Sequence, residues 1–208
     1  MSLGSSDAER RGRLTKDDLR RANETVRVAW DQLPVVHREF LEEIGASQWQ
    51  VVNEPIGVAV NRFKESAGQG GLDSAARVGL EDAVAVWMPD IRIVLIDVGS
   101  SVLDGLDALV VDRMIARLAW HEWGHALSFD RCLPEDVVDG KRLLEMAPEG
   151  VRENIRRARY RPKEYTHEVV AEIYAMLIGR RRRNELGRPK WLDDEIYELV
   201  MRATGWTE

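Results

Sequence analysis

The chain has 208 residues, with 30 Lys and Arg against 36 Asp and Glu, a formal net charge of −6 and a pI near 5.4. That acidic balance gives no electrostatic basis for binding nucleic acid or an anionic membrane, and the single Cys132 excludes an intrachain disulfide framework and fits a reducing compartment. The length suits one compact domain with a substantial core, and the longest apolar runs fall far short of a membrane span.

Residues 1–6 are small and polar, without the charged and apolar regions of a signal peptide. A cytoplasmic protein is the expectation, with a flexible tail over 1–14 and a single domain over 15–208, divided into a helical N-terminal part (15–45) and a core (46–208). Thr15 followed by Lys16, Asp17 and Asp18 predicts a helix N-cap with acidic residues in the first turn, the helix running on through Val26 and Trp30. Pro34 opens a second helix that ends near Gly45. Neither helix carries chemistry of its own, so each is expected to be a packing layer or a lid over a cleft.

After Gly45 the composition turns β-branched. Residues 49–52, 57–60, 83–88 and 91–96 are candidate strands, which makes a small sheet ahead of the most informative helix. Arg92 interrupts the last run as an edge or half-exposed strand would, and such an edge accepts an extended peptide by strand addition. Residues 68–71 form a glycine-rich loop, and 97–104 a turn cluster.

A helix is then predicted from about 104 to 128, and it carries His121-Glu122-Trp123-Gly124-His125. Residues four apart on an α-helix stand roughly 40° apart around its axis, so both imidazoles reach one cation from the same face. Glu122 stands roughly 60° from His125, too far round for an obvious third ligand but well placed to take a proton from a water on zinc. Val111, Met114, Leu118, His121 and His125 follow at steps of three and four, so one stripe is expected to carry both packing and histidines. The bland alternative is a surface helix with two unrelated histidines.

Further on, Pro148 separates two short helical stretches, and residues 168–179 read as a helix apolar almost all round, with Glu168 and Glu172 its only charges. Two like charges sharing a face in a dry setting are costly unless cations compensate them. On that argument Glu168 is the third zinc ligand, and Glu172 accepts the free ring N–H of one histidine; the alternative is an exposed face with two ordinary surface glutamates. His167 is the rival ligand, roughly 100° round from Glu168. The third histidine of HExxHxxGxxH is absent, since Ser128 and Arg131 stand at those positions, and Asp130 lacks any supporting pattern. The basic runs at 180–183 and 156–163 read first as partners of helix dipoles, and Trp120, Trp123, Trp191 and Trp206 as packing residues.

HEWGHAL at 121–127, then Tyr160, then EVVAEIYAML at 168–177, resembles the gluzincin metallopeptidases, most closely the catalytic domain of anthrax lethal factor and its relatives. Those proteins combine HEFGHA with an EFFAEAF helix and a preceding tyrosine. The resemblance spans roughly residues 115–200, including a terminal helix led by Pro189. It implies an α+β zincin-like fold with a small mixed sheet whose edge borders the cleft, a zinc ion (Zn2+) held by His121, His125 and Glu168, Glu122 as general base and Glu172 behind a ligand. It also implies that Tyr160 stabilises the oxyanion, although Tyr160 sits one residue further from Glu168 than the family spacing places it. The expected activity is hydrolysis of a peptide bond in a protein or peptide substrate. The alternative is an inactive zincin scaffold that binds or regulates a partner.

Overall fold

The computed structural model describes residues 11–70, 80, 83–130, 139–158 and 160–206. The fold is mixed α+β: among the described residues, one three-stranded sheet and a larger number of helices. The chain divides into two compact units, one made of residues up to Asp31 with Gly45–Ala119, the other of Gln32–Ile44 with residues from Trp120 onward.

The first unit begins with helix α1 (Lys16–Asp31). Thr15 and Asp18 form a reciprocal cap: Asp18 N–H donates to Thr15 Oγ1 at 3.2 Å and Thr15 N–H to Asp18 Oδ2 at 2.8 Å. Ala22, Val26, Ala29 and Trp30 are its buried face. Strands β1 (Gln48–Val52), β2 (Ala85–Met88) and β3 (Ile93–Asp97) form a mixed sheet in the order β1-β3-β2. β1 runs parallel to β3, with Gln48 opposite Ile93, while β2 runs antiparallel, with Met88 opposite Ile93. The parallel pair needs a crossover, and helix α3 (Ile56–Ser66) lies within it.

Two expectations change here. The stretch 57–60 is helical, part of α3, because Pro55 supplies a fixed φ of −53° at the helix start and Ile56, Ala59 and Val60 fall on one helical face. That face packs with Val52, Met88, Ile93 and Leu95, while Val58 is exposed. Four short apolar residues satisfied either period, and burial on the sheet decided for the helix. The strand expected at an edge, β3, is the centre of the sheet and buried along its length. Arg92 lies just outside it, in the turn from β2, with φ of 51°; the edges are β1 and β2.

At the end of β3, Asp97 is 2% exposed and accepts from both Nη1 and Nη2 of Arg11, at 2.7 and 2.6 Å, and from Gly99 N–H at 2.8 Å. Arg13 pairs with Asp104. Residues 11–14, expected as the end of a flexible tail, are therefore tied to this unit; residues 1–10 lie outside the described residues. The turn cluster 97–104 holds a 3-10 turn at Ser101–Leu103, and helix α4 (Ala108–Asp130) follows.

The second unit contains α2 (Val35–Glu43), α4 from Trp120, α5 (Gly140–Met146), α6 (Glu149–Arg157), α7 (Tyr165–Arg181) and α8 (Asp194–Thr204). Pro148 separates α5 from α6 as expected. α7 is buried along most of its length, as an all-round apolar helix should be. The terminal helix starts later than Pro189, because Asp193 is its N-cap and accepts from Glu195 N–H at 2.8 Å. From α2, His37 is fully buried and its Nδ1 lies 2.9 Å from the Tyr174 hydroxyl; Leu41 is buried beside it in sequence. Each helix before Gly45 thus buries one face in its own unit. Cys132, the breaker Pro134, Arg131 and Arg159 lie outside the described residues. Among the described residues no helix is long and apolar enough to cross a membrane.

Candidate metal centre

The motif helix does not bury the stripe its sequence suggested. Val111, Met114, Leu118, His121 and His125 are only partly buried, whereas Ile115, Ala119, Glu122 and Ala126, a step round, are buried. The histidine side chains are still mostly buried, 13% exposed for His121 and 19% for His125, and Glu122 is 6% exposed.

α7 supplies the third group. His121 Nε2 and His125 Nε2 are 3.0 Å apart, and the carboxylate oxygens of Glu168 lie 3.5 Å from the first and 3.4 Å from the second. Donors held about 2.0–2.1 Å from a tetrahedral zinc stand roughly 3.3 Å from one another, so this triangle is the size such an ion requires. A second observation supports the fit: Glu168 is 7% exposed and its Oε2 is buried with no hydrogen-bond partner. A carboxylate oxygen in that state is costly unless a cation meets it. His167, the rival, is outside the group of mutually close donor atoms found among the described residues.

The electrostatics agree with the geometry. Burial works against protonation of His121, yet the neighbouring Glu168 carboxylate, an acceptor for a protonated ring, and the charges of Glu122 and Glu172 outweigh it and push the ring up to about 9. Burial works against ionisation of Glu168, and His125 and His121 overcome it, holding the carboxyl well below the usual range. Two imidazoles and a carboxylate so arranged could hold a metal ion.

Glu172 lies one turn beyond Glu168, its Oε1 3.9 Å from His121 Nδ1, the nitrogen turned away from the triangle. That separation is longer than a hydrogen bond, and it sets the carboxylate beside the ring nitrogen of His121 that does not face the triangle. Asn154, from α6, reaches the same Oε1 at 3.5 Å; sequence reasoning offered no signal for it. Tyr160 is 36% exposed. Burial of its hydroxyl, then the charges of Glu168 and Glu122, raise its pKa well above that of a free phenol, so it is a proton donor and not an anion at neutral pH.

The structure also gives Gly124 a part that the motif's spacing hid. A Cβ on Gly124 would lie 3.1 Å from Ala171 Cα and 3.1 Å from Tyr174 Cδ1. The two ligand-bearing helices approach at this glycine, opposite a second small residue, and Tyr174 is held there by His37 and by Trp206, whose ring centroids lie 5.5 and 5.8 Å from its own. Ala171 and Ala175, one turn apart on α7, were the available signal. Part of the basic runs is taken up by neighbours: Arg180 and Arg183 pair with Glu185, and Arg157 with Glu153.

No protein-family model matches this chain, and neither a curated protein nor a solved structure matches it.

Proposed function

We propose that this chain is a zinc-dependent peptidase with a zincin-like arrangement, and the observation that carries the reading is the triangle of His121, His125 and Glu168 with an orphaned carboxylate oxygen inside it. His121 and His125 bind through Nε2, and Glu168 adds the charge that favours a dication over a proton. Bound zinc would acidify a water molecule and polarise a substrate carbonyl. Glu122, the next residue to a ligand and mostly excluded from solvent, takes the proton from water as the oxygen attacks the carbonyl carbon and hands it to the leaving amine. Glu172, 3.9 Å from His121 Nδ1, would orient that ring by closing to hydrogen-bond distance when the metal is held. Tyr160, kept protonated, donates to the carbonyl oxygen as charge gathers there. The choice of a peptide bond follows the motif resemblance, and a protein or peptide is the partner it implies.

The test is metal content together with a Glu122→Gln comparison. Purified protein should bind one zinc per chain, and Glu122→Gln should keep the metal while cleavage of a mixed peptide library falls by two orders of magnitude or more, about the loss general base removal brings. Protein that cannot be loaded with zinc, or equal cleavage by both forms, refutes the proposal. Zinc bound without cleavage by either form would favour a binding scaffold.

A further inference from the structure

The second unit has a recess at the opposite end of α7 from Glu168, with a volume near 240 Å³. Arg181 on its wall is 13 residues beyond Glu168, roughly 20 Å along the helix axis. Two helix ends make it. α8 stops at Gly205, whose φ of 67° turns the chain so that Trp206 N–H donates back to Met201 O at 2.9 Å. Past the end of α7, Asn184 takes φ of 58° and Glu185 N–H donates to Arg180 O at 3.1 Å. The chain folds back at both places, and a hollow is left between the returns.

Its walls are apolar: Leu177 and Leu186 on one side, Met201, Tyr197 and Trp206 on the other. The Trp206 indole is fixed edge-on against His37 at 5.4 Å and Tyr174 at 5.8 Å, so that wall is rigid. The charge is one-sided. Glu185 is the lining carboxylate, but Arg180 holds its Oε2 at 2.9 Å and Arg183 its Oε1 at 2.7 Å, so both oxygens are engaged. Arg181 has no ion-pair partner among the described residues, and it lines the same hollow. Its charge reaches inward to the buried Tyr174 hydroxyl, where it opposes the upward push of burial.

We propose that this recess binds a small carboxylate with an apolar body, the body lying on Leu177, Met201 and Trp206 and the carboxylate taken by Arg181. A planar guanidinium with free N–H groups pairs with a carboxylate through two parallel hydrogen bonds, and an apolar pocket with one convergent charge selects the orientation of such a ligand. The site is independent of the metal centre, so the two readings stand or fall separately.

The probe is 3-phenylpropionate, with 3-phenylpropanamide as its uncharged equivalent, titrated into the full chain while the indole N–H resonance of Trp206, assigned with Trp206→Phe, is followed by NMR. The carboxylate should shift that resonance saturably and bind at least about tenfold more tightly than the amide, the loss expected when a charged hydrogen-bonded pair is removed. Arg181→Gln should abolish that preference, Arg181→Lys should keep part of it, and Met201→Trp, which fills the hollow, should remove binding of both compounds. Arg181 is exposed, so Arg181→Gln keeps the fold. No saturable shift with the wild type, equal affinity for acid and amide, or an unchanged preference in Arg181→Gln overturns the proposal.

Discussion

Replacing Gly124 with alanine asks how closely the two ligand helices must approach. The new methyl would sit 3.1 Å from Ala171 Cα and Tyr174 Cδ1 and 3.4 Å from Tyr174 Cβ, so the neighbours must give by a few tenths of an ångström. Neither gives easily: Ala171 Cα is backbone in a buried helix, and the Tyr174 ring is bonded to His37. Overpacking of this kind costs about 1–3 kcal/mol, and the better helix propensity of alanine returns about 1 kcal/mol, for a net loss of about 0–2 kcal/mol. The effect on metal should be larger than that figure suggests. Glu168 is three residues before Ala171, so whatever moves α7 at Ala171 moves the ligand, and ligand positions tolerate only about 0.2 Å. Gly179→Ala is the control, because its methyl would meet Trp120 Cζ3 at 3.6 Å, an ordinary distance. Urea unfolding and competition with a zinc chelator should show Gly124→Ala at least tenfold weaker for zinc, while Gly179→Ala is as stable as wild type or more so and binds zinc normally. Equal zinc affinity in the two variants refutes the idea that Gly124 sets the spacing of the site.

The two glutamates of α7 should separate by degree. Glu168→Ala should lose zinc and activity together, whereas Glu172→Ala should keep zinc with affinity or activity reduced about ten- to a hundredfold; chelator competition on both gives the order, and the reverse order puts the ligand one turn wrong. Metal-free protein should also show a pH signature. The His121 pKa is raised from 6.5 to about 9 in the fold, so its contribution to stability is full below about pH 6.5 and lost as pH rises through about 9. Urea midpoints of metal-free protein should fall between those limits more steeply than in His121→Gln, and parallel curves would refute this.

Long-period signals were legible in the sequence. The N-cap at Thr15, the break at Pro148 and the all-round apolar α7 each formed as read. The short runs misled: residues 57–60 are too few to reveal a period, and Arg92 looked like an edge residue because a sequence does not show which strand becomes the centre of a sheet. At the site, helical spacing put His121 and His125 on one face, and the cost of two like charges on an apolar helix pointed to Glu168, which lies with them in the structure. What spacing could not supply were the partners from elsewhere in the chain: Asn154 behind Glu172, and His37 behind Tyr174. Those depend on which helix packs where, and His37 in isolation is one histidine on a short helix.

The bond between His37 and Tyr174 joins residues 137 positions apart. During synthesis, α2 emerges early, and His37 meets Tyr174 and Trp206 only after α7 and the turn at Trp206 have left the ribosome. The histidines on α4 likewise meet Glu168 only after α7 has been made. Under the proposed function the metal site therefore does not exist until α7 has packed on α4, and zinc capture follows that packing.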